Sequence, residues 1–270
     1  FSTEWYQPLR EDGRWFVAPT FYSGVRTRGI FVDGDKLADY RATLTQVGVD
    51  GGAQLGTWGQ LRAGLVASKV NARVDTGSPL LPSVRETTVG PRATLFIDQT
   101  DQAWFPREGY GLAGSAYRAT TSLGSDASYS RAELIARGAA SWDAHTLYLS
   151  VSGGSALGSE MPAYESFTLG GPLRMSAYRI DELSGREYFF GRLLYYNRTI
   201  RLPDLLGSGV FIGGSAEIGR MSDRAGGLPS EGTVWSASTF LAAVTFLGPS
   251  YLGFGIGPGR WSLYFLLGAP

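Results

Sequence analysis

The stretch VFIGGSAEIG, residues 210–219, carries the clearest indication of the fold, because apolar and polar side chains alternate along it with a period of two. Ile212 and Ile218 fall on one face of an extended chain, whereas Ser215 and Glu217 fall on the other. This period predicts a β-strand with one apolar and one polar face. The same alternation recurs along most of the chain and no sustained helical period interrupts it. The sequence therefore predicts an all-β fold.

Twelve strands follow from this alternation and from the Gly-, Pro- and Asp-rich turns between them. The predicted spans are 14–31, 38–56, 59–75, 84–100, 109–124, 128–142, 144–154, 186–202, 207–221, 232–247, 249–257 and 260–268. The turns that separate some of them are Asp33-Gly34-Asp35, Gly77-Ser78-Pro79, Gly124-Ser125-Asp126, Leu206-Gly207-Ser208, Ala225-Gly226-Gly227 and Gly257-Pro258-Gly259. Several strands are longer than the usual 5–6 residues of globular proteins. No break in composition divides the chain, which predicts one domain over residues 1–270.

The composition narrows the kind of all-β protein. Charged residues make up 18% of the 270 residues, below the ~25% of an average soluble domain. The 24 basic residues balance 24 acidic ones, which argues against a nucleic-acid partner. Only Lys36 and Lys69 are lysines, which leaves 22 arginines. The absence of cysteine excludes disulfides, thiolate metal sites and a cysteine nucleophile.

Two architectures fit these strands: a soluble sandwich or propeller, or a transmembrane barrel. The apolar face mixes small and aliphatic residues, and aromatic residues cluster near the strand ends, which suits contact with a lipid bilayer. These aromatic residues include Trp15, Trp58, Trp104, Trp142, Trp235 and Trp261. Arginines on the polar face suit a hydrogen-bonded lumen. We therefore expect an antiparallel transmembrane β-barrel, with a soluble domain whose arginine face is solvated as the alternative.

The longest irregular stretch runs from about residue 156 to 187. A loop of ~30 residues is uncommon in a compact protein and is generally functional or disordered. This one contains Gly170, Gly171 and Pro172 for tight turns, and two arginines, Arg174 and Arg179. We expect it to fold into the lumen, where its arginines would pair with carboxylates of the wall.

This loop resembles the long lumenal loop of the bacterial surface antigen superfamily. That superfamily comprises outer-membrane barrels of assembly factors, two-partner secretion transporters and patatin-like autotransporters. The matching motif is Gly170, Gly171, Arg174, Ser176, Ala177 and Tyr178. The resemblance covers about 160–268, and the strand 188–196 is similar to the patatin-like version. Ser176 and Ala177 stand where the family commonly has Arg and Gly, and Arg174 could substitute for that Arg.

The resemblance implies that charged wall residues anchor the loop, and Arg192 and Glu217 occupy such positions. We hypothesise a contact of Arg174 or Arg179 with Glu217. A second contact would join Arg192 to Asp181 or Glu182. The alternative is that these charges only line a wet lumen.

The last predicted strand carries the apolar row Trp261, Leu263, Phe265 and Leu267. Barrels of the resembled family usually end in an aromatic residue that the insertion machinery reads. Here the chain ends at Ala269-Pro270. Either Phe265 serves instead or residues have been trimmed.

The resemblance also implies a function and partners. It is closest to the C-terminal barrel of patatin-like (type Vd) autotransporters, in the outer membrane of a Gram-negative bacterium. Such a barrel secretes or displays an N-terminal passenger through a periplasmic domain, and both would lie outside this chain. Since it begins at Phe1, we expect a piece of a longer protein. The outer-membrane assembly machinery is a further partner, and a homodimer is left open.

Several alternatives remain from the sequence. The family expectation is sixteen strands rather than twelve, and the strands at 14–31 and 260–268 would form a seam. An assembly or two-partner secretion pore, or a plain porin-like channel, would use the same barrel.

No cofactor or metal is expected, and the barrel itself is not expected to be an enzyme. His145, the only histidine, alternates with Leu147 and Leu149 on the lipid side, which favours an interfacial role over catalysis.

Overall fold

Alternating strands dominate the structure, a computed structural model that describes residues 1–32, 35–77, 83–203, 205, 207–222 and 232–268. Within these residues the chain forms sixteen strands. They are β1 (Ser2–Glu4), β2 (Gln7–Pro8), β3 (Trp15–Val32), β4 (Asp35–Gln54), β5 (Gly59–Gly77), β6 (Val84–Asp98), β7 (Gly109–Ala119), β8 (Tyr129–Trp142), β9 (His145–Ser155), β10 (Phe167–Leu169), β11 (Leu183–Gly185), β12 (Glu187–Ile200), β13 (Gly207–Ser222), β14 (Thr233–Thr245), β15 (Gly248–Gly257) and β16 (Arg260–Leu267). Two 3₁₀ turns, Thr121–Leu123 and Ala163–Glu165, are the helical elements of this part of the chain. No helix in it is long and apolar enough to span a membrane.

The twelve predicted strands are confirmed as β3 to β9 and β12 to β16. The largest difference is at the span 109–124, because β7 ends at Ala119 and a 3₁₀ turn follows. That turn closes at Gly124, whose φ of 90° is a left-handed conformation that favours glycine. Some predicted turn and terminal residues lie outside the described residues, namely Asp33-Gly34, Ser78-Pro79, Leu206, Ala225-Gly226-Gly227 and Ala269-Pro270.

The long strands join one antiparallel sheet in chain order. Its fourteen strands follow the order β1-β3-β4-β5-β6-β7-β8-β9-β12-β13-β14-β15-β16, and β2 also pairs with β3. The remaining two strands, β10 and β11, form a small sheet of their own inside the long loop. Among the described residues this sheet therefore has two strands more than the twelve predicted and two fewer than the family expectation of sixteen.

The two shortest strands change the expected edge of the sheet. β1 pairs with β3 through Ser2 and Tyr22, and β2 pairs with it through Gln7 and Val17. β4 pairs with the other side of β3. The strand predicted at 14–31 was expected to form a seam with the strand at 260–268, but along residues 16–22 the edge of β3 is occupied by β1 and β2. The sequence did not predict β1 and β2, because strands of only three and two exposed residues are too short to show an alternation of apolar and polar side chains.

The sheet exposes its apolar face and buries its polar face, which is the opposite of a soluble protein. On β4, Val47 and Val49 are about half exposed, whereas Asp50 is 3% exposed. On β13, Ile212 and Ile218 are exposed, whereas Ser215 and Glu217 are buried. An apolar outer face and a polar inner face suit an apolar surrounding.

The chain divides into two compact units. The first contains Phe1–Asp98, Leu112–Leu134 and Gly154–Phe167, and the second contains Gln99–Gly111, Ile135–Gly153 and Thr168–Pro270. A single domain over residues 1–270 remains a prediction. The long loop contributes its first part to the first unit and the rest to the second.

Each unit has its own cluster of buried apolar side chains. In the first unit the cluster contains Tyr40, Leu44, Val70, Ala72 and Tyr164. In the second unit it contains Phe105, Tyr148, Leu173, Leu194, Tyr196, Phe211, Phe240, Ala242, Val244, Tyr251 and Tyr264. Both clusters include residues of the long loop, so the loop forms part of the packing of each unit.

An ion pair with a buried carboxylate connects two strands of the first unit. Arg92 Nη2 on β6 lies 2.5 Å from Asp50 Oδ2 on β4, and the Arg92 Nε also donates to Asp50 Oδ1. Replacing Asp50 with Ala leaves the Arg92 guanidinium without this partner. We expect the free energy of unfolding in detergent, measured by urea titration, to fall by about 3 kcal/mol.

The control is Asp39→Ala, which removes the more exposed pair of Lys36 and Asp39. Exposed pairs contribute about 0–1 kcal/mol, so this variant should unfold close to the wild type. Equal losses in the two variants would contradict a special role for the pair of Arg92 and Asp50.

Candidate functional site

The second part of the long loop folds into a tight turn. Gly170 N–H donates to the Arg174 carbonyl at 2.9 Å, and Gly171 N–H donates to the Tyr178 carbonyl at 3.0 Å. Gly170 has a φ of 128°, and a Cβ there would lie 2.1 Å from the Arg179 carbonyl oxygen. Only glycine fits this conformation and this close approach. The turn presents residues 175–178, the loop tip, to the covered face of the sheet in the second unit.

Glu217 on β13 holds the loop tip. Its carboxylate accepts hydrogen bonds from Ser176 N–H at 2.6 Å and from the Ser176 hydroxyl at 2.7 Å. Ser215, on the same strand, donates a third at 2.6 Å. Glu217 is only 3% exposed. Hydrogen bonds from neutral donors therefore surround this carboxylate, and bonds to a charged acceptor are stronger than neutral ones.

Small residues of the wall let the loop tip approach closely. A Cβ at Gly255 would lie 2.5 Å from the Ser176 carbonyl oxygen, and one at Gly257 would lie 2.9 Å from the Ala177 Cβ. Ala177 N–H donates to Ser236 Oγ at 2.8 Å, and Ser262 Oγ donates to the Ser176 carbonyl. Strands β14, β15 and β16 thus provide a narrow bed of Gly and Ser for the loop tip.

Two arginines of the wall contact other parts of the loop. Arg192 lies opposite Glu217 in the β12–β13 register, and its Nη1 donates to the Leu173 carbonyl at 2.7 Å. Arg260 Nη1 donates to the buried Glu182 carboxylate. The Arg260 guanidinium also lies 4.2 Å from the centre of the Tyr178 ring. The wall therefore binds both sides of the loop tip as well as the tip itself.

These partners differ from the hypothesised ones. Glu217 binds Ser176 instead of Arg174 or Arg179, and the Arg174 Nη2 donates to the Thr168 carbonyl. Arg192 binds a backbone carbonyl instead of Asp181 or Glu182. The Ser176 hydroxyl and backbone N–H already donate to the two oxygens of the Glu217 carboxylate, the place that the hypothesis gave to a guanidinium. The hypothesis paired side chains by their charges only. The hydroxyl of Ser176, at the tip of the loop, was the signal in the sequence that could have identified the donor to Glu217.

The first part of the loop is anchored in the first unit. The Tyr164 hydroxyl donates to Glu86 Oε2 at 2.6 Å, and Arg28 Nη1 donates to the Ser166 carbonyl at 2.7 Å. Burial, and then the bond to Glu86, raise the pKa of the Tyr164 hydroxyl, so it stays protonated and keeps donating at physiological pH. Sequence reasoning missed this anchor, because no motif joins positions so far apart in the chain.

The remaining predicted residues lie on the apolar face. Trp261, Leu263, Phe265 and Leu267 are all exposed along β16, the last strand in the order of the sheet. Their role, like that of the loop motif and of the wall partners, stays a prediction.

His145 lies in a polar and aromatic cluster. Its Nδ1 is 2.6 Å from the Tyr195 hydroxyl, and its ring stacks on those of Trp142 and Tyr195. Ser141, a neighbour in sequence, instead donates to the Arg107 carbonyl at 2.6 Å. The hydroxyl that contacts His145 is therefore that of Tyr195 and not that of Ser141, and the stacked aromatic rings fit an interfacial side chain.

Comparisons with known proteins give a family match for the sequence and similar folds among solved structures. A family model described as the Omp85 superfamily domain matches residues 2–219. The structure is similar to that of BamA from Haemophilus ducreyi lacking POTRA domains 1-3, with a TM-score of 0.76 and 11% identity over 98% of this chain and 60% of that chain. A search of curated protein sequences finds no match.

Two structures of CdiB are similar as well. For CdiB from Escherichia coli the TM-score is 0.68, with 13% identity over 94% of this chain and 50% of that chain. For CdiB from Acinetobacter baumannii it is 0.66, with 11% identity over 98% of this chain and 48% of that chain. The chain thus spans about half to three fifths of these proteins, and at such low identity the likeness shows the fold.

Replacing Glu217 with Ala removes the acceptor of three hydrogen bonds. Ser176 N–H is then buried without a partner, and we expect the free energy of unfolding to fall by about 3 kcal/mol. Trypsin should also cleave the folded protein faster after Arg174 or Arg179, measured by mass spectrometry of the fragments. Glu160→Ala, which changes an exposed carboxylate on the same loop, is the control. Unchanged stability and cleavage in Glu217→Ala would contradict the anchor.

Replacing Gly255 with Val tests the close approach. The added side chain would overlap the backbone of Ser176, so the loop tip must leave its bed. We expect a cysteine introduced in place of Ala177 to react with a water-soluble maleimide only in the Gly255→Val background. In the control Gly51→Val, the nearest atom to the new Cβ is 3.9 Å away, and the cysteine should stay protected. Protection in both backgrounds would contradict the docking of the loop tip.

Proposed function

This chain belongs to the Omp85 superfamily, and we propose that it is the outer-membrane β-barrel translocator and anchor of a patatin-like autotransporter. In this proposal the barrel secretes or displays a phospholipase-type passenger that precedes it in the full protein. The barrel itself performs no catalysis. The observation that carries the proposal is the docking of the loop tip on Glu217, in a sheet whose outer face is apolar.

The physical basis of this proposal is the difference in side chains between the outer face and the covered face of the sheet. The outer face carries exposed aliphatic and aromatic side chains such as Leu65, Leu241 and Trp235, which suits lipid. The covered face carries the polar groups that hold the loop. A passenger would cross within the lumen, and the loop of residues 156–187 would line or plug it.

The specific link to patatin-like autotransporters is supported by the sequence resemblance in residues 188–196 and in the last strands. A second candidate is an assembly or two-partner secretion pore. The likeness of the fold to BamA and CdiB favours it. Both candidates require the same bilayer-embedded barrel, and they differ in whether the chain carries its own passenger.

The full protein, with an epitope tag in the region before Phe1, distinguishes the two. Expressed in a Gram-negative bacterium, an autotransporter should expose the tag at the cell surface, where protease added to intact cells removes it. Depleting the protein should leave other outer-membrane proteins at their normal amounts. A tag protected in intact cells, together with a loss of other outer-membrane proteins or of a separately encoded secreted partner on depletion, would favour the second candidate and contradict the first.

A further inference from the structure

A cavity of about 170 Å³ lies in the second unit between the connection 99–108 and the covered face of the sheet. Its lining includes five aromatic residues and two arginines: Trp104, Phe105, Tyr148, Tyr196, Tyr251, Arg137 and Arg192. None of the described residues that line this cavity carries a carboxylate. The cavity is therefore aromatic and presents guanidinium groups rather than carboxylates, and the proposed function does not account for it.

Phe105 forms a rigid wall of the cavity. Its ring stacks on Phe211 with the centres 4.2 Å apart and the planes within 8°, and it meets Tyr196 edge-on at 5.0 Å. Its φ of 51° is left-handed, which is unfavourable for a bulky residue. Gln102 Nε2 donates to the Phe105 carbonyl, and the Tyr196 hydroxyl donates to that of Pro106. Backbone strain held in place by such contacts is typical of functional sites.

Arg192 supplies an unused donor beside this wall. Its Nη1 binds the Leu173 carbonyl, and its guanidinium lies 5.5 Å from the centre of the Tyr148 ring. The Arg192 Nε is buried and has no hydrogen-bond partner among the described residues. A buried donor of this kind is rare in native proteins and requires an acceptor. Carboxylates are the acceptors that guanidinium groups bind most strongly.

The size of the cavity limits the ligand. An apolar cavity of about 150 Å³ is large enough to hold benzene. A cavity of about 170 Å³ holds one aromatic ring with one small substituent. We propose that this cavity binds a single-ring aromatic carboxylate, with the carboxylate on Arg192 and the ring against Phe105 and Tyr148.

Isothermal titration of the folded, detergent-solubilised protein with benzoate tests the proposal. Benzyl alcohol supplies the ring without the charge, acetate supplies the charge without the ring, and inorganic phosphate supplies a charge of different shape. We expect benzoate to bind at least about tenfold more tightly than each of the other three, since ring and carboxylate both contribute. Binding of benzoate no tighter than acetate, or weaker than phosphate, would overturn the proposal.

Two variants place the ligand in this cavity. Arg192→Gln should weaken benzoate binding by at least about tenfold, because a charge-assisted hydrogen bond is lost. Ala103→Phe, at an exposed position that lines the cavity, should abolish binding by filling the space without disturbing the contact of Arg192 with Leu173. Arg41→Gln, which changes an exposed arginine paired with Asp75, is the matched control and should bind as the wild type does. Wild-type affinity in both cavity variants would contradict the assigned site.

Discussion

A strand whose apolar side chains face outward is stable only where its surroundings are apolar too. In hydrocarbon no water can pair with backbone N–H and C=O groups, so each strand must satisfy them through its neighbours. The long strands of this chain meet that demand through register-matched pairs such as β12 with β13 and β4 with β5. Because the outer face is apolar and suited to lipid, the polar groups and the long loop lie on the covered face. The arrangement of the site follows from this constraint.

The covered face then has to pack a loop against itself without leaving buried polar groups unpaired. Glu217 illustrates the solution, because a buried carboxylate is unfavourable unless several hydrogen-bond donors surround it. Ser176 and Ser215 supply these donors. Hydroxyl and backbone N–H groups reach only a short distance from the main chain. Gly255 and Gly257 let the loop approach the wall closely enough for these donors to reach the Glu217 carboxylate. Charge on the wall and small residues on the neighbouring strands therefore act together.

Much of the fold was predictable because one local pattern, a period of two, determines the strands and their faces. The bounds of β5 and β12 were predicted within two residues, and the outer position of residues such as Val49 and Ile218 was also expected. What the pattern could not supply was non-local. The pairing of β1 and β2 with β3 depends on backbone groups that carry no signature, and the small sheet of β10 and β11 joins residues far apart in the loop.

The candidate site was predictable only in part for the same reason. The resemblance drew attention to Ser176, Arg192 and Glu217, and all three lie at the contact between loop and wall. Their partners were mistaken, because matching charges by sign ignores the space available to each side chain. Phe105 drew no attention at all, since its importance arises from a left-handed turn that inserts its ring among aromatic residues of four strands, β12 to β15.

A sheet with this apolar face is expected to meet lipid in a closed, bilayer-embedded barrel. Electrophoresis of membrane-extracted protein in SDS, unheated against boiled, is the decisive measurement, since a closed barrel keeps its fold in SDS until heated. We expect the protein in the membrane fraction and a faster-migrating band for the unheated sample. Identical migration of the two samples, with the protein in the soluble fraction, would contradict this expectation and would mean that the arginine-rich face is an ordinary solvated surface.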